Sequence, residues 1–330
     1  MRILFIFTGG TIGSTLSGDV IATDSTKSYR IIEAYRERHT VDFDYDMIEP
    51  YTALSENNTG DTIRELCACV KQHVTDGYDG IIVTHGTDTL QYSAAALGYT
   101  LGLDTIPVCV VSSNRPIKDE RANALDNLHA AISFIRGGYG RGCFVCYKND
   151  GSGVTHVHRA TRMIGAKAYS DEVSSIYGSV YGSFDERFVY TQNREYSESA
   201  DECAPLSAEC LSESSKGILM LSAYPGMIYP DVSHGISCVI LTGYHSGTLD
   251  TASARARDFY LECKKRGVSV FAAGVSDGPD YASASEFESL GIIPAINISP
   301  VALYVKLWLS DCAGLGASVY SSSLSGDIIK

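Results

Sequence analysis

The sequence has little positive charge and no long hydrophobic run. Its 330 residues include 26 lysines and arginines against 39 aspartates and glutamates, a formal net charge of −13. This balance excludes a broad cationic face for nucleic acid or anionic lipid. No apolar run approaches the roughly 20 residues that a membrane helix needs, and Phe5-Ile6-Phe7 is too short for a signal peptide. We therefore expect a cytoplasmic protein that binds a small molecule and neither nucleic acid nor membrane.

Two nucleotide-binding motifs are also missing, as are internal repeats and low-complexity tracts. The stretch Gly9-Gly10-Thr11-Ile12-Gly13 has adjacent glycines, so it does not meet the G-x-G-x-x-G spacing of dinucleotide-binding proteins. The sequence contains no Gly-Lys-Ser/Thr of a phosphate-binding loop. We expect no cofactor.

The ten cysteines raise the question of a metal site. Cys143 and Cys146 are three residues apart in a predicted strand, which places them on opposite faces, so they cannot share one tetrahedral ion. Cys67 and Cys69 are two residues apart in a predicted helix and diverge. We expect scattered reduced thiols and no structural metal.

Strands and helices alternate through most of the chain, which predicts an α/β fold with right-handed βαβ crossovers. The expected architecture has two domains, a larger N-terminal one with a doubly wound, mainly parallel sheet and a smaller C-terminal α/β one. Residues 1–190 form the first domain, 191–216 a linker rich in Ser, Glu and Ala, and 217–330 the second. Between the strand at 143–147 and Val189 the pattern becomes irregular, and we expect little regular structure there.

The chain is organised around the stretch Ile81 to Leu90. A β-branched run leads directly into Gly86-Thr87-Asp88 and then a small-residue helix, so Thr87 and Asp88 lie where a buried strand turns into a helix. An isolated Thr-Asp here would more simply be an N-cap. The chain, however, opens with a second apolar strand, Arg2 to Phe7, followed by Thr11. Since parallel strands end at one edge of a sheet, two threonine hydroxyls could converge there.

Other polar residues follow these strand ends. Ser55 and Glu56, in the loop after a strand at 43–50, could bind the amino and carboxylate groups of a substrate, although they are equally suited to a turn and a helix cap. Ser113 follows the strand at 107–111. The polar segment 15–28 is typical of a lid, and Tyr29 at its end could pass a proton or merely pack.

Threonine hydroxyls need a base, and a lysine oriented by Asp88 could serve if its surroundings favour the neutral amine. Backbone N–H groups at Gly86, Thr87 or Ser113 could hold the oxyanion of a tetrahedral intermediate. This constellation suits acyl transfer, most simply the hydrolysis of an amide.

Two motifs make the family recognisable. The stretches Thr8-Gly9-Gly10-Thr11-Ile12-Gly13 and Thr84-His85-Gly86-Thr87-Asp88-Thr89-Leu90 match the bacterial-type L-asparaginases without a gap, and the chain most resembles their type I, cytoplasmic group. Weaker similarity continues through Arg115-Pro116 and Tyr224-Pro225-Gly226 to the C-terminus. The chain departs from the family where it has Ser112-Ser113-Asn114 before Arg-Pro and Ala122-Asn123-Ala124 before a helix.

The resemblance implies hydrolysis of L-asparagine, with L-glutamine as a second substrate, and a homodimer or homotetramer. It implies that Thr11 is the nucleophile and that Thr87, Asp88 and Lys167 form a second catalytic triad. Ser55 and Glu56, together with Thr87 and Asp88, would bind the α-groups of the substrate. Lys167 is preferred to the competing alignment of Arg162, because a guanidinium cannot act as a base.

Two other functions stay open. The stretches Leu290 to Pro294 and Tyr304 to Leu307 resemble the ammonia-generating subunit of a tRNA amidotransferase, an alternative weakened by the expected absence of an added N-terminal domain and of a basic surface for tRNA. An inactive asparagine sensor is the non-enzymatic alternative. A sensor would have no need of a base such as Lys167 near two threonines.

Overall fold

The computed structural model describes residues 1–9, 14–17, 20–23, 30–212, 217–232, 235–277 and 281–330. Its strands are β1 (Arg2–Phe7), β2 (Ser14–Ser17), β3 (Val20–Thr23), β4 (Asp44–Ile48), β5 (Gly80–Thr84), β6 (Val108–Val111), β7 (Cys143–Lys148), β8 (Thr155–Arg159), β9 (Gly182–Phe184), β10 (Tyr190–Gln192), β11 (Gly217–Ser222), β12 (Ile236–Thr242), β13 (Ser269–Val275) and β14 (Ile292–Ile296). The helices are α1 (Arg30–Arg38), α2 (Gly60–His73), α3 (Leu90–Leu101), α4 (Ala124–Gly137), α5 (Ala254–Lys265), α6 (Phe287–Leu290) and α7 (Pro300–Cys312).

The described strands form a large sheet and a small sheet, as the sequence predicts, and a separate antiparallel pair of β2 and β3. The large sheet has the order β10-β9-β8-β7-β6-β5-β1-β4, and the small one has the order β11-β12-β13-β14. In the large sheet, β4, β1, β5, β6 and β7 run parallel. All neighbours in the small sheet are parallel. The two-domain α/β class is confirmed.

The expectation of little regular structure between β7 and Val189 is wrong. Strands β8 and β9 extend the large sheet there, β10 follows directly after Val189, and each of the three pairs antiparallel with its neighbour. These strands are three to five residues long and contain His, Ser and Gly. Such short segments lack a β-branched run, so their extended form depends on hydrogen bonding to β7 rather than on local preference.

Helices cover both faces of the large sheet, and its strands are apolar on both sides, as a buried parallel sheet requires. Side chains alternate along each strand between a layer with α1 and α4 and a layer with α2, α3 and α7. Cys143 belongs to the second layer and Cys146 to the first, so the prediction that they lie on opposite faces is confirmed. The second layer continues into the inner face of the small sheet, whose outer face packs on α5 and α6.

The segment 193–212, within the predicted linker, is attached to the rest of the chain by polar contacts. Glu198 pairs with the buried Arg159 at 2.9 Å. The Asp201 carboxylate accepts hydrogen bonds from the backbone N–H groups of Leu103 and Ser325 at 3.0 and 2.6 Å. Within the described ranges, no helix has the length and apolar character needed to cross a membrane.

A buried ion pair links α3, α7 and the C-terminal segment. Lys306 on α7 lies 2.8 Å from Asp327, and neither side chain has any exposure to solvent. Tyr99 on α3 donates a hydrogen bond of 2.9 Å to the same Asp327 oxygen. The lysine ammonium also donates to the carbonyl oxygens of Tyr320 and Ser322. Hydrogen bonds from the protein thus replace water around both charges.

Replacing Lys306 by methionine should destabilise the protein by about 3–5 kcal/mol, because Asp327 would remain as an uncompensated buried charge. Urea unfolding would measure this free energy. The matched control is Lys330→Met, which removes an exposed ion pair with Glu202 and should cost less than about 1 kcal/mol. Equal effects of the two substitutions would contradict the assignment.

A second polar cluster joins α1 to α4. The rings of His39 and His129 stack with centroids 4.2 Å apart, and the Tyr35 hydroxyl lies 2.7 Å from His129 Nδ1. Burial, reinforced by His39 and Arg136 and opposed by Asp126, lowers the pKa of His129 to about 4. Burial and Arg38 likewise lower the pKa of His39. Both rings therefore pack in their neutral form.

This cluster should make the protein less stable in mild acid. An unfolded histidine takes up a proton near pH 6.5, but the folded His129 does so only near pH 4, so its stabilising contribution is lost as the pH falls from about 6.5 to 4. In His129→Gln the thermal midpoint should therefore fall less steeply over this range than in the unmodified protein. A slope equally steep in His129→Gln would refute the assignment.

Candidate active site

Four of the five parallel strands, β1, β5, β6 and β7, end at one edge of the large sheet, where polar side chains follow them. Past the end of β1, Thr8 donates a hydrogen bond of 2.8 Å to the carbonyl oxygen of Thr84, the last residue of β5. Past the end of β6, Ser112 donates one of 2.7 Å to the carbonyl oxygen of His85. Parallel α/β sheets bind their ligands at this edge.

The turn after β1 needs a glycine. Gly9 has a φ of +94°, and a Cβ atom there would lie 2.5 Å from the carbonyl oxygen of Ala53. This close approach places the loop 51–59 beside the end of β1. Thr11 and Tyr29, two of the predicted catalytic residues, lie outside the described residues.

Loop 51–59 is hydrogen-bonded to the turn after β5. The buried Ser55 hydroxyl donates to the Asp88 carboxylate and accepts from the Asp88 backbone N–H, both at 3.2 Å. Thr89 donates to the Ser55 carbonyl oxygen at 2.8 Å. The structure thus brings together Ser55 and Asp88, two residues that the sequence places 33 positions apart.

The side chain of His85 stabilises this turn through hydrogen bonds. Its ring is buried, and Nδ1 donates to the Gly86 carbonyl oxygen at 2.7 Å, so the neutral ring must accept at Nε2. Asn58 supplies that hydrogen bond at 3.2 Å and a second one to Thr89 at 3.1 Å. Burial lowers the pKa of His85, which keeps this acceptor available. The role of His85 is structural.

Asparagines of α4 hold the ends of β6 and β7 together. Asn127 donates to the Ser112 carbonyl oxygen at 2.8 Å and accepts from the Lys148 backbone N–H at 2.7 Å. Asn114 and Asn123 form a reciprocal pair, in which each side-chain oxygen accepts from the backbone N–H of the other at 3.0 and 3.3 Å. These are two positions at which the sequence departs from the family motifs, and they are bonded to each other.

A cavity of about 430 Å³ opens at this edge. It is lined by Thr87, Asp88, Tyr147 and residues 166–173. Thr87 is half-buried, and the Asp88 side chain is exposed. Lys167 also lines it, so three residues of the predicted second triad share one cavity.

Lys167 is more exposed than its predicted role as a neutral base suggests. Its side chain retains 62% of its accessible surface, and its ammonium lies 3.6 Å from Glu172. In the described part of the chain, no hydrogen bond or ion pair joins Lys167 to Asp88. The three triad residues therefore line one cavity, but Lys167 is not bonded to Asp88.

The loop that carries Lys167, residues 164–175, is fastened at its base. The Asn149 amide donates to the Val173 carbonyl oxygen and accepts from its N–H, at 2.9 and 2.8 Å. The ring nitrogen Nδ1 of the buried His158 lies 2.8 Å from the Ser175 hydroxyl. We call this segment the lysine loop. Its tip, with Tyr169 fully exposed at a φ of +61°, projects into solvent.

The other predicted site residues are not among those that line this cavity. Glu56 follows Ser55 with an exposed side chain, and Gly86 is buried within the turn. Ser113 is buried, and its hydroxyl donates to the Arg115 carbonyl oxygen. Arg162, the alternative to Lys167, is buried and donates to Gly326, Ser197 and Ser179, so it is committed to holding the C-terminal segment.

Sequence reasoning missed Asn58, Asn127 and Tyr147. Tyr147 and Lys148 end the fourth parallel strand, so the rule that polar residues follow strand ends could have found Tyr147. Nothing local distinguishes Asn58 or Asn127, because their partners are brought to them by the fold.

The arrangement suits an anionic intermediate more than a metal. No described residue accepts a hydrogen bond from the backbone N–H groups of Gly86 or Thr87, so these donors at the start of α3 remain available to an oxyanion. Among the described ranges, no group of three His, Cys, Asp or Glu residues is arranged to hold a metal ion.

Comparisons with known proteins place this geometry in a family. The sequence model "Asparaginase, N-terminal" matches residues 2–185, more than half of the chain. The L-asparaginase of Thermococcus kodakarensis is 31% identical over 170 residues, 48% of each chain. A solved structure of the thermostable L-asparaginase from Thermococcus kodakarensis superposes with a TM-score of 0.78, at 21% identity and 100% coverage of both chains.

Subunits D of glutamyl-tRNA(Gln) amidotransferases are similar as well. That of Haloquadratum walsbyi is 37% identical over 169 residues, but the match spans 48% of this chain and only 36% of that protein. That of Methanobrevibacter smithii is 25% identical over 99% of this chain and 76% of its own length. The match over residues 2–185 shows that the chain belongs to the asparaginase family.

Proposed function

We propose that this protein hydrolyses the side-chain amide of L-asparagine to L-aspartate and ammonia through a threonine acyl-enzyme. The observation that carries the proposal is the cavity at the sheet edge, which Thr87, Asp88 and Lys167 line together. Asp88 is held from the other side by Ser55. A hydroxyl, an amine and available N–H donors at one site are among the parts that acyl transfer requires.

In this mechanism the Thr11 oxygen attacks the side-chain carbonyl carbon while its proton passes to Tyr29, which forms a tetrahedral intermediate. Tyr29 then returns that proton to the amide nitrogen, the C–N bond breaks, and ammonia leaves the ester of Thr11. Thr87, with Lys167 as base and Asp88 as its counter-ion, then activates a water molecule that hydrolyses the ester and regenerates Thr11. Ser55 and Glu56 bind the α-groups of the substrate, Tyr29 moves a proton at the lid, and Gly86 and Ser113 line the oxyanion side.

The open position of Lys167 requires one movement before the chemistry. Its side chain has a flexible four-carbon stem and retains more than half of its accessible surface. It can therefore turn from Glu172 towards Asp88 without displacing buried side chains. The base of the lysine loop stays attached during this movement, because Asn149 holds Val173 through the backbone. We propose a cytoplasmic homo-oligomer; one structural neighbour, from Campylobacter jejuni, is described as a probable cytoplasmic L-asparaginase.

A second function is favoured by one observation. The Methanobrevibacter amidotransferase subunit aligns with 99% of this chain, so an ammonia-generating glutaminase that works with a partner subunit is the competing proposal. It would use the same cavity residues, with L-glutamine as the amide donor.

Substitution of Thr87 by alanine should reduce ammonia release at least about 10³-fold while the fold is retained, since a hydroxyl of the reacting group is lost. Lys167→Met should cost about 10²–10⁴-fold, the usual contribution of a positioned base. Lys265→Met, on the surface of α5 with 81% of its side chain exposed, is the matched control. Near-normal turnover in Thr87→Ala would refute the proposal.

A coupled ammonia assay on L-asparagine and L-glutamine separates the candidate functions. We expect a higher kcat/KM on L-asparagine, and Thr87→Ala should abolish turnover of both amides. Exclusive use of L-glutamine, together with co-purification of a second subunit and tRNA, would favour the amidotransferase. Saturable binding of L-asparagine by calorimetry, without ammonia, would identify a sensor.

A further inference from the structure

The turn that joins β7 to β8 lies beside the lysine loop. Lys148 and Thr155 form the last pair of these two strands, so Asn149 is the first residue beyond β7. Its carbonyl oxygen accepts a hydrogen bond of 3.0 Å from the Ser152 N–H, which closes the turn. The backbone of Asn149 is therefore fixed at the sheet edge that carries the candidate active site.

The side-chain amide of Asn149 pairs with the backbone of one residue of the lysine loop. Its Nδ2 donates to the Val173 carbonyl oxygen at 2.9 Å, and its Oδ1 accepts from the Val173 N–H at 2.8 Å. Opposite residues of antiparallel strands exchange the same pair of bonds. Because Val173 lines the cavity, this pairing fixes one point of the cavity wall.

A series of contacts leads from Val173 back to Lys167. The N–H of Glu172, the residue before Val173, donates to the Ser170 hydroxyl at 3.1 Å. The Ser170 N–H donates to the Lys167 carbonyl oxygen at 3.3 Å. The Glu172 carboxylate lies 3.6 Å from the Lys167 ammonium. Residues 167–172 thus form an internally bonded turn, and Asn149 holds the residue at which this turn ends.

The base of the lysine loop is attached by other contacts. The Met163 carbonyl oxygen accepts a hydrogen bond of 2.5 Å from Ser299, the N-cap of α7. The Ile164 N–H donates to the Ser174 carbonyl oxygen at 3.0 Å and closes the base of the loop. Since none of these contacts involves Asn149, a substitution there should loosen the cavity wall without detaching the loop from the fold.

The proposed reaction needs this wall to be held in place. Lys167 has to turn from Glu172 towards Asp88 by rotation of its side chain, and the rotation brings the amine to a defined point only if the backbone of Lys167 stays fixed. A displacement of a reacting group by about 1 Å can lower the rate by about 10²-fold. Small movements of the turn 167–172 should therefore be costly.

We propose that Asn149 is a positioning residue for the proposed amidase reaction: by pairing with Val173 it holds the backbone of Lys167 where side-chain rotation brings the amine to the reacting groups. The inference rests on the proposed function. Asn149 acts through the lysine loop and does not itself touch the reacting atoms.

Asn149→Ala removes both hydrogen bonds and tests the proposal in the full-length protein. We expect kcat for L-asparagine to fall by about 10- to 100-fold with KM within about threefold, because the proposed ligands of the substrate α-groups lie on other segments. Hydrogen–deuterium exchange of the amides of residues 167–173 should become at least about tenfold faster. Asn149→Asp keeps the acceptor for the Val173 N–H and removes the donor, so its kcat and exchange rates should lie between those of Asn149→Ala and the unmodified protein.

The matched control is Asn193→Ala. The Asn193 amide also makes two hydrogen bonds to backbone groups, to the Val180 carbonyl oxygen at 2.9 Å and from the Glu195 N–H at 3.0 Å. Asn193 follows β10 at the end of the large sheet and is not among the residues that line the cavity. Both alanine variants should lower the thermal midpoint by about 2–6 °C, but Asn193→Ala should leave kcat and exchange in the lysine loop unchanged.

Two results would overturn the inference alone. One is a kcat in Asn149→Ala as high as in Asn193→Ala, whatever the exchange rates, which would make Asn149 merely structural. The other is a loss of kcat without faster exchange in the lysine loop. If Asn149→Ala does not fold, the same two measurements on Asn149→Asp decide the matter.

In each of these cases the proposed function stands as long as Thr87→Ala abolishes turnover. If the unmodified protein releases no ammonia from any amide, both proposals fall together.

Discussion

The parallel register of β1, β5, β6 and β7 is the constraint on which the candidate site depends. These strands begin far apart in the sequence, but their hydrogen bonds align Phe7 with Thr84, Thr84 with Val111, and Val111 with Cys146. Each strand therefore ends at the same edge, and the polar residues that follow, such as Thr8, His85 and Ser112, are brought together there while they remain buried. A slip of one residue in any pair would exchange its two faces and remove the site.

Side-chain hydrogen bonds then hold this edge of the sheet in one arrangement. Ser55 bonds to Asp88, Asn127 joins β6 to β7, and Asn114 pairs with Asn123. Ser55 and Asp88, like Asn127 and Ser112, are brought together by the fold although they lie far apart in the sequence. Asn114 and Asn123 are closer in the sequence. A site built in this way has a rigid floor, which lowers the entropy lost when a substrate is oriented.

The lysine loop has the opposite character. Its base is fastened by Asn149 and His158, while Lys167 at its tip is exposed and paired with Glu172. A base that acts within a cavity has to be shielded from water when it works, but an open cavity has to admit the substrate first. In the proposed mechanism, an exposed lysine on a tethered loop, lining one cavity with Asp88, would meet both requirements if closure follows binding.

The sequence by itself determined the family, the α/β class and most of the strands. Apolar runs such as Ile81 to Val83 are buried on both faces and carry the signal locally, and the two threonine motifs are contiguous. Cysteine spacing was similarly sufficient, because Cys143 and Cys146 must face opposite sides of any strand. The tertiary structure alone decided the rest. Strand β8 forms by pairing with β7, and β9 and β10 extend the sheet from it, while Lys167 is exposed because its loop lies beyond the sheet edge. These properties are set by contacts between residues distant in the chain, and local preference carries no information about them.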